Sequence, residues 1–345
     1  MSASVLRLSA TDLRHLRRTL LTWYDVNRRD LPWRKTRDPY RIWVSEIMLQ
    51  QTRVAAVLEH YANFMKRFPT VQSLASARQQ SVLAAWSGLG YYHRARRMHQ
   101  AARIITSRNC EFPRTVNGWL ELPGIGRYTA AAIASIAFGE SKAVVDGNVE
   151  RVLGRLFGRA EGREQTWLRA ESLLAPDRPG DFNQAMMELG ATICTPRSPQ
   201  CLLCPLNQWC RTRGVEEYRA RAPRNRKKLH YGFSQRNSRV FLVQRDKKAR
   251  LMAGMWELPQ IDPAHCNGQA PLAKFRHSIT NTDYDVRVHA ISSGRPELGG
   301  RWFTTRQWRR LALTGLAHKI LRKLVVERAN ESRETGSESN QSTEV

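Results

Sequence analysis

The sequence predicts a two-part fold: an all-α domain over about residues 10–215, followed by a small α+β domain over 229–328. Three observations carry this. Through the first part, apolar residues recur at three- and four-residue steps, punctuated by Gly and Pro, with almost no strict alternation. After residue 228 the pattern changes to short β-branched and aromatic runs at 229–233, 239–244 and 284–289, separated by turn pairs such as Asn237-Ser238 and Asn267-Gly268. Finally, 345 residues suffice for two cores.

Taken in order, the N-terminal stretch MSASVLRLSATDLRHLRRTLLTWY reads as a basic amphipathic helix. Asp38 and Pro39 supply the cap and first-turn signals of a second helix that is apolar nearly all round. Trp119 and Leu120 end another, and a small-residue helix follows over 130–138. Asp146 is placed to cap a helix carrying Val149, Val152, Leu153 and Leu156. The charged segment EEYRARAPRNRKK (216–228) reads as a linker. A helix over 314–328 closes the second domain, and the polar tail 329–345 is expected to be disordered. No internal repeat is evident.

The formal charge is +26, from 56 Lys and Arg against 30 Asp and Glu. Because the Arg residues are spread through the helical segments, the chain presents a broad positive surface suited to nucleic acid. No run approaches the ~20 apolar residues of a spanning helix, so no membrane role is expected. The N-terminus lacks the parts of a secretory signal, which points to a cytoplasmic, nucleoid-associated bacterial protein. Cys110 and Cys266 are isolated and expected to stay reduced.

The other four cysteines, Cys194, Cys201, Cys204 and Cys210, follow the spacing Cys-x6-Cys-x2-Cys-x5-Cys. The residues between them include three prolines and few apolar side chains, so the segment needs an inorganic centre to fold. Zinc sites usually pair two close Cys knuckles across a longer spacer. Unequal gaps within one short loop favour a 4Fe-4S cluster over zinc.

Leu122-Pro123-Gly124-Ile125-Gly126-Arg127-Tyr128-Thr129-Ala130 has the form of a helix-hairpin-helix turn. Gly124 and Gly126 make the turn tight, and backbone N–H groups at the start of the next helix, with Arg127, suit a DNA phosphate without reading sequence. Eighteen residues beyond Tyr128 comes Asp146, whose carboxylate the helix N-terminus is expected to keep ionised. Glu46 lies between Ile42 and Leu49 on the second helix, where burial would raise its pKa and keep a proton available. One raised acid and one ionised carboxylate are the division of labour that breaks glycosidic bonds through an oxocarbenium-like state.

Together the hairpin, the following aspartate and the cysteine loop resemble the endonuclease III superfamily of DNA glycosylases over residues 10 to 215. Leu31-Pro32-Trp33-Arg34, the run from Trp43 to Thr52, Gly88-Leu89-Gly90-Tyr91-Tyr92 and the run from Phe182 to Gly190 look like the MutY-type adenine DNA glycosylases, which remove adenine mispaired with 8-oxoguanine. In the second domain Val243-Gln244-Arg245 and the run from Gly254 to Pro259 are similar to that family's Nudix-like module. No Arg-Glu-x2-Glu-Glu helix is present, so pyrophosphate hydrolysis is not expected.

The resemblance implies that Glu46 protonates adenine N7 and then activates water, that Asp146 stabilises the sugar cation, and that Tyr128 and Asn148 support them. It further implies that Trp33, Arg34 and Gln184 line the base pocket and that Gln51 and Tyr91 wedge into the duplex. Two positions depart from relatives. Bifunctional members carry lysine where this chain has Tyr128, so a monofunctional enzyme is expected. The Phe-Ser-His triplet that contacts 8-oxoguanine in many adenine glycosylases is Ile279-Thr280-Asn281 here, which leaves Thr280 and Asn281 to read the lesion. The expected substrate is duplex DNA with A:8-oxoguanine or A:G, bound by a monomer. The alternatives are a thymine or pyrimidine glycosylase of the same superfamily and a non-catalytic, redox-sensing DNA-binding protein.

Overall fold

The structure, a computed structural model, describes residues 8–158, 162–213, 225–246, 248–249, 252–266, 270–279, 282–291 and 299–327. The linker residues 216–224, Thr280, Asn281 and the tail from 328 onward lie outside the described residues. In chain order the helices are α1 (Ala10–Asn27), α2 (Pro39–Leu49), α3 (Val54–Arg67), α4 (Val71–Ser76), α5 (Gln79–Ala85), α6 (His93–Ser107), α7 (Val116–Leu120), α8 (Arg127–Phe138), α9 (Gly147–Phe157), α10 (Arg163–Leu173), α11 (Pro179–Thr192), α12 (Thr305–Trp308) and α13 (Gly315–Leu321). The strands are β1 (Asn225–Phe233), β2 (Gln235–Arg236), β3 (Arg239–Gln244), β4 (Trp256–Glu257), β5 (Ala273–Ile279), β6 (Thr282–Ala290) and β7 (Arg301–Thr304). No helix among the described residues is long and apolar enough to cross a membrane.

Internal contacts divide the chain into two units, Met1–Ala75 with Gln100–Ala220, and Ser76–His99 with Arg221–Val345. The first is helical. Ser9 caps α1 by accepting from the Asp12 N–H, and Asp38 caps α2 by accepting from the Tyr40 N–H, with Pro39 in the first turn. Leu16, Leu20 and Tyr24 of α1 form one core with Val149, Val152, Leu153 and Leu156 of α9 and with Ala185, Met186 and Leu189 of α11. The 3.6-residue period that predicted these faces thus marks the side chains removed from water.

The second unit contains the Ser76–His99 segment, which the sequence reading placed with the helical domain. Within this unit the Tyr92 hydroxyl donates to the Leu313 carbonyl at 2.8 Å. Two sheets are present among the described residues, one ordered β1-β6-β5 and one built on β3, with β2, β4 and β7 as its partners. β1 and β6 are parallel, while β5 and β6 form an antiparallel hairpin. Asn237 and Ser238, both at positive φ, make the two-residue turn between β2 and β3. Two features differ from the sequence reading. β1 starts at Asn225, so 225–228 are strand rather than linker, and β2, β4, β5 and β7 are additional strands. The final helix is α13, capped by Thr314, and the chain continues over Arg322–Glu327 with wider π winding.

Candidate active site

Glu46 projects from the last turn and a half of α2, where Tyr40, Ile42, Trp43, Val44, Ile47 and Met48 are also buried. Its residue exposure is 5%. Such a carboxylate loses hydration, and burial pushes its pKa up to about 7, with the nearby Asp146 charge acting in the same direction. The Tyr128 hydroxyl donates to Glu46 Oε2 at 2.9 Å and, with Arg34, opposes the rise. Glu46 is therefore poised near neutrality.

Tyr128 sits in the first turn of α8, where Gly126 is the N-cap and no side chain caps the helix. Its own pKa lies well above the ordinary value because of burial and the Glu46 and Asp146 charges, so it stays a phenol. Gly124 has φ +84°, a conformation open to glycine and strained for other residues, and Ile125 anchors the hairpin in the interior. A methyl added at Gly126 would meet nothing within 4 Å, so that face of the turn is open to an approaching group. Arg127 behaves differently from a free phosphate clamp: its guanidinium bonds Glu164 at 2.9 Å and lies over the Trp167 ring at 4.0 Å.

Asp146 caps α9, as its sequence position indicates. Its Oδ1 accepts from the Asn148 and Val149 N–H groups at 2.9 and 2.7 Å, and its Oδ2 accepts from the Asn148 side chain at 3.0 Å. The helix N-terminus, expected to keep this carboxylate ionised, is opposed here by burial. Burial raises the Asp146 pKa above the ordinary value, and the bonds from Val149 and Asn148 and the Arg151 charge only moderate the rise. Asn148 is itself seated by Arg151, which donates to Asn148 Oδ1 at 2.9 Å, to the Gly190 carbonyl at 2.7 Å and to the Cys194 carbonyl at 2.9 Å. Gly190 is required here, since a Cβ would fall 2.7 Å from Asn148 Cβ. Asn183 fixes the strand-like approach to Asp146 by accepting from the Val144 N–H at 3.0 Å and donating to the Lys142 carbonyl at 2.8 Å.

Of the residues expected to line the base pocket, Trp33 is buried edge-on against Tyr61, with ring centroids 5.2 Å apart. Arg34 bonds Glu188 at 2.8 Å, and Arg29 grips the same carboxylate through two further bonds of 2.6 and 2.7 Å. Burial alone would raise the Glu188 pKa, yet the two guanidinium groups hold it down to about 2. Glu188, Arg29, Arg151 and Asn183 are structural supports that the sequence did not single out, because bonds spanning 154 and 159 positions to Glu188, and 39 positions for Arg151 to Gly190 and Asn183 to Val144, leave no local trace. Gln184 is half-buried on α11. Gln51, two residues beyond α2, is exposed at φ +56°, and Tyr91 in the second unit adopts φ +47°. Non-glycine residues at positive φ are uncommon and gather at functional positions.

Cys194, Cys201, Cys204 and Cys210 are free thiols that line one cavity together with Arg155, Ile193 and Asn207. Arg155 donates to Cys194 Sγ at 3.4 Å and to the Thr195 carbonyl at 2.7 Å. Burial pushes the Cys204 thiol up to about 11, and the neighbouring cysteines act in the same direction. Among the described residues no three His, Cys, Asp or Glu side chains converge as they would on a single metal ion. Four thiols spread around a cavity with a guanidinium beside them fit a multi-atom, anionic cluster.

Comparison with known proteins accords with this. Residues 44–176 match the HhH-GPD superfamily base excision DNA repair protein family, and residues 194–210 match the iron-sulfur binding domain of endonuclease III. Adenine DNA glycosylase of Rattus norvegicus is 35% identical over 90% of this chain and 78% of its own length. The Homo sapiens adenine DNA glycosylase is 50% identical over 57% of this chain, which spans 39% of that relative. A thermostable thymine-DNA glycosylase structure is 32% identical, with a TM-score of 0.55 over 59% of this chain and 98% of its own. Of these three, only the rat alignment covers more than two thirds of this chain. The loop 194–210 holds a 4Fe-4S cluster, and the chain belongs to the adenine DNA glycosylase family of HhH-GPD base excision repair enzymes.

Proposed function

We propose that this protein hydrolyses the N-glycosidic bond of adenine mispaired with 8-oxoguanine or guanine in duplex DNA, acting as a monomer and leaving the abasic strand intact. The observation that carries the reading is the pairing of Glu46, buried and titrating at about 7, with the capped carboxylate of Asp146. Glu46 gives its proton to adenine N7, and the C1′–N9 bond breaks with its electron pair leaving on the base. The cation at C1′ is stabilised by ionised Asp146 until water adds there. That water loses a proton to the Glu46 carboxylate, which restores the starting state.

Tyr128 holds Glu46 through its 2.9 Å bond and offers no amine for a Schiff base, which supports hydrolysis without strand cleavage. Trp33, Arg34 and Gln184 would flank the extruded base, and Gln51 and Tyr91 would fill the gap it leaves. Gly124, Gly126 and the open start of α8 would hold a phosphate. The cluster, when bound, supplies the ionic core on which residues 194–210 fold; Cys194, Cys201, Cys204 and Cys210 would ligate it. The second unit would act as a Nudix-like lesion reader, with Thr280 and Asn281, between β5 and β6, facing 8-oxoguanine.

Thymine excision is the second reading, favoured by the likeness to the thymine-DNA glycosylase structure. Duplexes carrying A:8-oxoguanine, A:G, T:G and thymine glycol separate the two. Adenine release from the first two, with strands that break only in hot alkali and are not trapped by borohydride, is the expected outcome. Thymine release without adenine release overturns the proposal, and strand cleavage at neutral pH overturns its hydrolytic form.

A further inference from the structure

The β1-β6-β5 sheet has one apolar and one charged face. Leu229, Tyr231, Val286 and Val288 turn into the core of the second unit. Side chains alternate along a strand, so the intervening positions point away from that core. By the register they are Arg226 and Lys228 on β1, Lys274 and Arg276 on β5, and Arg287 on β6, against the acids Asp283 and Asp285. Arg226, Lys228, Lys274 and Arg276 are exposed.

These cations are poorly neutralised from within. Asp285 approaches Arg287 only to 3.7 Å, the Arg287 Nε is buried without a hydrogen-bond partner, and Asp283 accepts from the Ser278 hydroxyl at 2.6 Å. Lys228, His230, Gln260 and Arg287 line a pocket on this side of the sheet. His230, whose Nδ1 lies 3.1 Å from His289 Nε2, has a lowered pKa, first from burial and then from His289, Arg287 and Lys228, with Asp285 opposing. The local field therefore favours an anion. The charged face also begins at the hairpin end of the sheet, where Asn225 pairs with Thr282, directly after residues 280–281.

We propose that this face is a phosphate-binding surface for the DNA backbone, seating the strand that carries the base opposite the excised adenine. It rests on the reading of residues 280–281 as lesion-facing. The test uses the full-length, cluster-loaded protein with Lys228→Gln/Arg287→Gln and, at exposed positions, Lys274→Gln/Arg276→Gln. Affinity for an A:8-oxoguanine duplex is measured by anisotropy across a range of salt concentrations. Each phosphate contact contributes about 0.9 to the slope of log K against log salt, so each double variant is expected to flatten it by about 1.8. Adenine release with enzyme in excess should stay within about twofold of wild type, because the variants do not touch the Glu46 site. Two folded variants with wild-type slope and affinity overturn the proposal. Loss of inorganic phosphate binding alone, with the DNA slope unchanged, also overturns it, by making the pocket a small-anion site. If wild type binds the duplex but releases no adenine, the catalytic reading fails while the slope comparison still decides this one.

Discussion

Glu46 shows in one residue how the role proposed for a buried acid opposes folding. Its pKa rises from an ordinary 4.5 to about 7, so the stability tied to its protonated form is complete below pH 4.5 and is lost as pH rises through 7. The loss amounts to roughly 3 kcal/mol. Glu46→Gln removes the charge and keeps an acceptor for the Tyr128 hydroxyl, so that variant should melt above wild type at pH 8, with the gap closing toward pH 5. A variant that melts lower at pH 8 would contradict this placement of the charge. Glu188 is the reverse case. Its pKa of about 2 reflects two guanidinium partners, so it stabilises the fold above pH 4.5 and the benefit fades only as pH falls toward 2. Glu188→Ala strands Arg34, whose side chain is 10% exposed, and should cost on the order of 3–5 kcal/mol by thermal or denaturant unfolding. A loss below about 1 kcal/mol would show that the three-residue cluster is dispensable.

Among the elements, the hairpin between α7 and α8 separates binding from folding. Gly126 has φ −103°, which any residue adopts, and open space where a Cβ would sit. Gly126→Ala should therefore leave melting unchanged while weakening DNA binding, through a methyl in the path of the phosphate. Equal affinity for DNA would mean the backbone is held elsewhere. The cysteine loop behaves oppositely, since its fold and its cluster are one event. Cys201→Ser should lose iron, with its visible absorption, together with solubility, and iron content at the wild-type level would contradict the four-thiol assignment. The helices around the site were legible because their signals are local: Asp38-Pro39 before α2, Asp146 before α9, and the small-residue run of α8. β5 and β7 were not, since Phe275-Arg276-His277-Ser278 is mostly polar and Arg301-Trp302-Phe303-Thr304, though aromatic, is too short to read alone; pairing with β6 and β3 fixes both. The positive φ of Gln51 and Tyr91 is likewise set by surroundings and leaves no mark on residue type.

At the scale of the whole molecule, the composition pointed to a polyanionic partner and the change of periodicity to two domains. The grouping of Ser76–His99 with the C-terminal strands was hidden, because the Tyr92 hydroxyl meets the Leu313 carbonyl across 221 positions. The proposed lesion-reading role of the second unit is therefore not isolated by cutting the chain. Truncation near Arg221 would also strip partners from the Gly88–Tyr92 turn, so the intact chain with Thr280→Val is the better probe. A hydrogen bond to a base edge contributes about 1–3 kcal/mol of discrimination. The ratio of excision rates on A:8-oxoguanine over A:G should fall accordingly, while the A:G rate is kept; an unchanged ratio would remove Thr280 from lesion reading.

In the proposed reaction a buried carboxylic acid, protonated near neutrality, drives base loss, and the pH dependence of single-turnover adenine release from an A:8-oxoguanine duplex, for wild type and Glu46→Gln, reads this out. The rate for wild type should fall about tenfold per pH unit above about 7, as Glu46 loses its proton. Toward acid it should decline at a pH above that of an ordinary aspartate, as Asp146 gains one. Glu46→Gln should bind the duplex and release no adenine. A rate level from pH 6 to 9, or release by Glu46→Gln near the wild-type rate, would rule out Glu46 as the acid.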